Sequence, residues 1–595
     1  VNALNTNLLR TSDFLTGAFP AEYGNANAAV FDVQYRNGNP DTYEFTAQMS
    51  AFSGLEFMAE GPVFEKTGGS FIASYRYGIA SLAATGTSSI PYYQDFSFKV
   101  NSGETQLGRF EIFGLGGLSH IDFLGDEIDD NDLFANPNQD SYVDNELGLL
   151  GISHTTRISK STYLKSVAGV SLNGNEFIQD NYLRNDQNIR LQKYRAVEVD
   201  NRETRYSLGT TLNSKINARW SLRAGFLTEI YNPEFNTRDR DDRVDLPDEN
   251  NDGIPDEFLI VTDRSEIYSL SQVYGQAEYK FTDNISTTFG IHSQYFDISD
   301  EVSFEPRAAV SWNVTDRDRL SFAYGLHAQV APAPIIFLEE QLPDGNYEQT
   351  NRDLDYTKSH HLVLGYDKSL GNQWRIKSEA YFQYLFDVPV EQVSSSYSVL
   401  NEGADFVFDG RGSLVNEGTG RNYGVELTLE KFFSRGYYVL ATGSLFNSTY
   451  EGSDGIRRST AFNNEYVVNA LFGKEWKFGS NDLHALTFDT KFTSSGGNPY
   501  TPVDLEATRS NAGREVRRED IAFSRQYDPY IRWDVKLGIR LNSQKRNVSH
   551  QFFVDLQNIT NQENEFVRRY NEVTDEVNTI TQIGFFPDVM YRIQF

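Results

Sequence analysis

Between Glu266 and Val330 the chain alternates apolar and polar residues so strictly that one kind of backbone fits. Ile267, Val273, Ala277, Tyr279 and Phe281 stand at odd positions, against Gln272, Gln276, Glu278 and Lys280 at even ones. After Thr282-Asp283-Asn284 the pattern resumes, with Ile285, Phe289, Ile291 and Tyr295 against Ser286, Thr288, His292 and Gln294. Phe304, Ala308, Val310, Trp312 and Val314 then oppose Arg307, Ser311 and Asn313. Leu320, Phe322, Tyr324, Leu326 and Val330 oppose Ser321, His327 and Gln329. A period of two belongs to β-strands with one apolar and one wet face. These runs are about 10 to 16 residues long, whereas strands of soluble proteins have about 5 to 6. A tilted strand crosses a bilayer in roughly 9 to 11. The spacing predicts transmembrane β-strands.

The rest of the composition agrees. No run of 18 apolar residues is present, so no transmembrane helix is expected. Low mean hydropathy does not argue against a barrel wall, which shows apolar side chains at every second position only. The 34 Tyr, 43 Phe and 5 Trp suit the aromatic girdles that barrels carry at both interfaces. A net charge of -30 makes nucleic acid an unlikely partner, since phosphate binding wants a basic patch. With no Cys, disulfides, thiol chemistry and Cys-ligated zinc are excluded. No charged start with an apolar core opens the sequence, so a processed or truncated form is expected.

Residues 1–40 do not read as barrel, because Gly17-Ala18-Phe19-Pro20-Ala21-Glu22-Tyr23-Gly24-Asn25 carries strand-breaking Gly and Pro. From Tyr43 onward strands follow one another, joined alternately by short and long connections. Ten short turns lie near 61–69, 101–108, 159–161, 215–219, 282–284, 315–319, 370–373, 433–436, 478–482 and 542–546. Eleven connections lie at the other end: a Phe52-Ser53-Gly54 corner and ten mostly long polar stretches, among them 122–145, 180–203, 232–265 and 331–356. Such a count joins 22 strands. Short inner turns with long outer loops are how outer-membrane barrels are laid out. The expected fold is an all-β, 22-stranded antiparallel transmembrane β-barrel over residues 41–595, wide enough to need a plug. Val589, Tyr591, Ile593 and Phe595 alternate in the final strand, with Pro587 near its start.

Several segments resemble a known family. "GAFPAEYGNA" followed by "VFDVQYRNGN" looks like the end of the plug domain of TonB-dependent outer-membrane receptors in their Bacteroidetes, SusC-like form. "EPRAAVSW", "LSFAYGLHAQ", "NRDLDYTKSHHLVLGYD", "NEGTGRNYGVELTLEK", "SGGNPYTPVD", "DLQNITN" and "YRIQF" are similar to segments recurring in such receptors, in the expected order. The resemblance implies that residues 1–40 are a C-terminal remnant of a plug, with most of it and the TonB box missing. It implies active uptake of a large or scarce solute (glycan, peptide or metal chelate) across the outer membrane of a Gram-negative bacterium. It also implies partners: membrane lipid and lipopolysaccharide, TonB, and an outer lipoprotein lid of the SusD type. The alternative is a non-transporting scaffold in an outer-membrane complex for secretion or barrel assembly.

The sharpest local motif lies in the long stretch 232–265. Asp248, Asn250 and Asp252 at positions 1, 3 and 5 precede Gly253 at position 6, as in the start of a calcium loop. Ile254 would bind through its carbonyl and Asp256 directly or through water. Leu259 stands at position 12, where an EF-hand has Glu, so the match is nearer a thrombospondin- or dockerin-type turn. The competing reading is a solvated acidic loop. The acidic run Asp126, Glu127, Asp129, Asp130 and Asp132 lacks that spacing and reads as solvated loop, or as a cation bridge to lipopolysaccharide. His360 and His361 are adjacent on a strand, so they point to opposite faces and chelate one metal poorly. No nucleophile elbow, His-Glu-x-x-His or phosphate loop occurs, so no enzyme is expected. Tyr182, Tyr347 and Tyr397 are candidate solute contacts, with an interface or loop-packing role as the reading to beat for each.

Overall fold

The computed structural model describes residues 4–595 except 11, 79–90, 126–138, 185–188, 241–246, 250–253, 343, 404–409, 512–514 and 572–573. Its main body is one closed antiparallel barrel. Counted without short accessory strands, the barrel strands are β1 Glu44–Ser50, β2 Gly54–Pro62, β3 Ser70–Tyr77, β4 Tyr92–Asn101, β5 Arg109–Phe123, β6 Gln139–Ser159, β7 Thr162–Arg184 and β8 Arg190–Lys215. Then come β9 Trp220–Asp239, β10 Tyr268–Lys280, β11 Ile285–Phe296, β12 Glu305–Asn313, β13 Asp318–Gln329, β14 Thr357–Leu370 and β15 Trp374–Glu391. The set ends with β16 Leu414–Ser434, β17 Tyr437–Glu451, β18 Tyr466–Phe478, β19 His484–Ser495, β20 Tyr530–Ser543, β21 Val548–Gln557 and β22 Phe586–Gln594. These are the 22 strands expected, with the short turns where the sequence puts them.

Closure is made by β22, which pairs with β21 on one side and with β1 on the other, from Thr46 opposite Gln594 to Ser50 opposite Met590. Beyond the ladder Phe45 and Phe595 exchange backbone hydrogen bonds of 2.8 and 3.0 Å and stack their rings at 5.7 Å. A closed sheet leaves no edge, which hydrocarbon demands because it offers no hydrogen bonds to stray amides.

The faces sort as the alternation requires. Val273, Phe289, Ile291, Val310, Phe322, Leu364, Val425, Leu427 and Leu445 are 44–61% exposed on the outer face. A continuous apolar belt of that kind is stable only when lipid covers it. On the opposite face of the same strands Gln272, His292, Arg307, His327 and His361 are buried. His360 and His361 do part company: His360 lies outside with Tyr324 and Phe386, and His361 lies inside.

The inner turns are built by local chemistry. Between β16 and β17 the two turn residues Arg435 and Gly436 both have positive φ, 51° and 75°, the shape that matches strand twist in a two-residue hairpin. The buried Lys431 caps this turn, donating to the carbonyls of Ser434 and Tyr437 at 3.1 and 2.9 Å.

One expectation needs correction. Stretches 122–145, 180–203 and 232–265 read as loops, yet much of them is strand. β6 to β9 run for 21, 23, 26 and 20 residues, and the ladder holds from Asn201 opposite Phe235 to Val197 opposite Asp239. Twenty-six residues span roughly 85 Å, far more than a membrane needs. Above the lipid the apolar alternation is no longer selected, but backbone pairing continues; the periodicity stops before the strand does.

Candidate functional site

The stretch 331–356, expected as an outer loop, folds inward. Pro332 starts a one-turn helix, α1 (Ala333–Ile336), at its N-cap. Ile335, Ile336 and Phe337 pack into a buried cluster with Phe235, Tyr268, Leu270, Phe296, Tyr356 and Leu414. Each such side chain contributes about 1.5–3 kcal/mol on burial. Asn351 staples the loop: its amide donates to the carbonyls of Ile335 and Arg411 at 3.0 and 2.9 Å and accepts from the Leu414 amide at 3.0 Å. Asn351→Leu leaves those groups buried without partners, at about 1–3 kcal/mol each. The expected result is faster hydrogen exchange across 331–356 with the barrel ladder unchanged.

Below this cover the N-terminal segment lies in the lumen against inward-facing side chains. Asn5 donates to Glu56 and Ser74 at 2.8 and 2.7 Å. Arg36 binds both carboxylate oxygens of Glu60 at 2.7 Å. Asp13–Leu15 pairs with Val30–Asp32 in a two-stranded sheet.

Residues 17–27 form a second buried contact. Glu305 and Arg307, two apart on β12, pair at 2.7 Å with side chains 1% and 5% exposed. Arg307 also donates to the carbonyls of Phe19, Pro20 and Tyr23 at 3.3, 2.6 and 2.6 Å. Gln294 and Ser303 donate to the Glu305 carboxylate at 2.9 and 2.7 Å. Around this pair, the Ala21 amide donates to Gln276 at 3.1 Å, the Asn27 amide to Gln329 at 3.0 Å, and the Asn27 side chain to the Thr357 carbonyl at 2.7 Å. Glu22 pairs with Arg223 at 2.5 Å; burial pushes its carboxyl up and the guanidinium pulls it back. Ala18 and Asn25 sit at φ 44° and 50°, a region residues other than glycine visit seldom. At Gly24 a Cβ would meet His292 Nε2 at 2.0 Å, so only glycine lets the backbone come this close. The segment is held in a shape the wall imposes.

Of the calcium-loop residues, Asp248, Ile254 and Asp256 are described, whereas Asn250 and Asp252 lie outside the described residues. Asp256 accepts from the Glu249 amide at 2.7 Å and donates its own amide to the Pro247 carbonyl at 2.9 Å. Ile254 is buried. Among the described residues no group of three or more His, Asp or Glu is arranged to hold a metal ion. The acidic run 126–132 also lies outside the described residues. Of the three candidate tyrosines, Tyr182 lies on strand β7 with Arg190 over its ring at 3.8 Å, Tyr347 accepts from the Ile260 amide, and Tyr397 packs on the apolar cluster. The sequence quoted Arg307 as a wet-face residue but gave no hint of its partners, which lie 284 to 288 positions away.

A barrel of 22 strands, apolar outside, with a strapped lumen and an in-folded outer loop, is a membrane passage. The family profile described as TonB dependent receptor-like, beta-barrel matches residues 87–559. The chain belongs to that family. Solved structures agree on the fold. The ferric-catecholate import receptor Fiu from K12 E. coli is 11% identical with a TM-score of 0.66, over 96% of this chain and 84% of that one. The outer membrane transporter YddB from Escherichia coli is 10% identical with a TM-score of 0.66, over 100% and 85%. The ferripyoverdine receptor of the outer membrane of Pseudomonas aeruginosa is 12% identical with a TM-score of 0.66, over 98% and 76%. Comparison with curated proteins finds no match. The chain is thus an outer-membrane β-barrel of the TonB-dependent receptor-like family, from a Gram-negative bacterium. The description of the family ties its members to TonB.

Proposed function

We propose that residues 1–40 are the closing part of a plug domain and that the barrel takes up a metal chelate by a TonB-driven step. The observation that supports the reading is the seat of residues 17–27, held against the lumen wall by Arg307 and by the bond from Asn27 to the Thr357 carbonyl. A metal chelate ranks ahead of a glycan or peptide because two of the similar barrels are named as receptors for ferric chelates. The quoted motifs favour the SusC-like branch, and with it a SusD-type surface lipoprotein as partner. Whole-cell uptake of radioactive iron chelates tests this. Uptake is expected to vanish when the gene or TonB is deleted; uptake that survives either deletion refutes it.

Calcium at Asp248, Asn250, Asp252, Ile254 and Asp256 is part of the same reading. The bond from the Asp256 amide to the Pro247 carbonyl and that from Arg240 to the Pro255 carbonyl support it, because holding residues on either side of the motif together lowers the ordering cost of binding. The ion would stiffen the stretch 240–265. A chelator is expected to raise protease cutting there several-fold and leave barrel mobility on unheated gels unchanged. Equal cutting with and without chelator argues for a solvated loop.

A further inference from the structure

We propose that His327 and His361 make the grip on residues 17–27 proton-sensitive: the seat holds while these rings are neutral and loosens as they take up protons. Both side chains, on β13 and β14, are fully buried beside His292 of β11. The His327 ring lies between Phe19, at 4.1 Å between centroids, and His361, at 4.4 Å. Neither of its nitrogens finds a hydrogen-bond partner among the described residues. His361 Nδ1 accepts from the Ala18 amide at 3.2 Å, a bond that exists only while Nδ1 carries no proton. His292 Nδ1 lies 2.8 Å from the Ala21 carbonyl and donates to it in either charge state.

The charges facing this cluster are already committed. From β12, Arg307 lies over Phe19 at 5.3 Å and pairs with Glu305. From β9, Arg223 pairs with Glu22. Asp32 of the segment accepts from Tyr23. β10 and β15 contribute the neutral Gln272, Gln276 and Gln383. An imidazolium at 327 or 361 would therefore stand beside a guanidinium with no carboxylate to receive it, and at 361 it would also break the bond from Ala18. Lifting the segment admits water and removes both penalties. Release and proton uptake are then linked. The sign follows: free histidine titrates near 6.5, so the grip is complete above that value and falls away below it. With two rings affected, the release equilibrium shifts by up to about 100-fold per pH unit.

The chain has no Cys, so Ala28→Cys, at an exposed position beside Asn27, carries a single spin label. Spectra of the labelled protein in lipid nanodiscs are compared at about pH 7.5 and about pH 5, on either side of the histidine range. The line shape is expected to be broad at the higher pH and reversibly sharp at the lower. Adding His327→Gln and His361→Gln is expected to keep it broad throughout. Glu22→Gln, which removes the carboxyl that burial pushes up, is expected to keep the transition. If the double variant fails to assemble, His361→Asn alone must make the transition shallower, from about 100-fold toward about 10-fold per pH unit. Identical spectra at both pH values, a transition that survives the histidine changes, or one abolished by Glu22→Gln overturns the proposal. None of these readouts involves solute uptake, so they stand apart from the chelate reading.

Discussion

Arg307→Met is expected to free residues 17–27 from the wall while the barrel stays closed. The methionine keeps the length and apolar stem but removes every donor. Glu305 is then a buried carboxylate without its cation, and the carbonyls of Phe19, Pro20 and Tyr23 lose their donor. Removing one partner of a buried pair costs about 3–5 kcal/mol. The effect falls on the segment because the β12 ladder, from Arg307 opposite Gly325 to Asn313 opposite Arg319, is made by backbone groups alone. Hydrogen exchange in peptides covering 17–27 is the measurement. Protection lost by a factor of 100 or more, about 3 kcal/mol, with β11 to β14 still protected, is the expected pattern. Unchanged protection in 17–27 means that the guanidinium does not hold the strap.

Val425→Arg is expected to cripple assembly where Thr428→Arg does not. Both sit on β16, three residues apart, and so on opposite faces. Val425 belongs to the outer belt at 53% exposure. An arginine facing lipid near mid-height costs about 2–4 kcal/mol, whereas one facing the lumen stays hydrated, within about 1 kcal/mol of wild type. Refolding from urea into lipid vesicles, followed by migration on unheated gels, separates the two. Equal losses would mean that the outer face does not meet lipid.

The fold was legible because a membrane barrel writes its wall into every second residue. The runs around Val273, Phe289, Val310 and Phe322 announced strands and faces, and the turn at 435–436 announced itself by its glycine. Two things were hidden. The upper halves of β6 to β9 carry mixed polar residues on both faces, so nothing in the side chains marks where pairing ends. The seat was hidden for a different reason. Glu305 and Arg307 sit in a quoted motif, but two wet-face charges are ordinary in a barrel. Their meaning lies in main-chain carbonyls near residue 20, which leave no side-chain signature. Asn351 was equally silent, since its partners are backbone groups of Ile335, Arg411 and Leu414.

The seam between β22 and β1 has a consequence for biogenesis. The strand that shuts the cylinder is translated after all the others, so no earlier moment of synthesis offers a finished wall. Until Phe586–Gln594 arrives, β1 and β21 each present a raw border of unmet amides, intolerable in hydrocarbon. A premature stop codon upstream of residue 586 therefore does not yield a slightly shorter transporter. It yields an open curtain that must be shielded or destroyed.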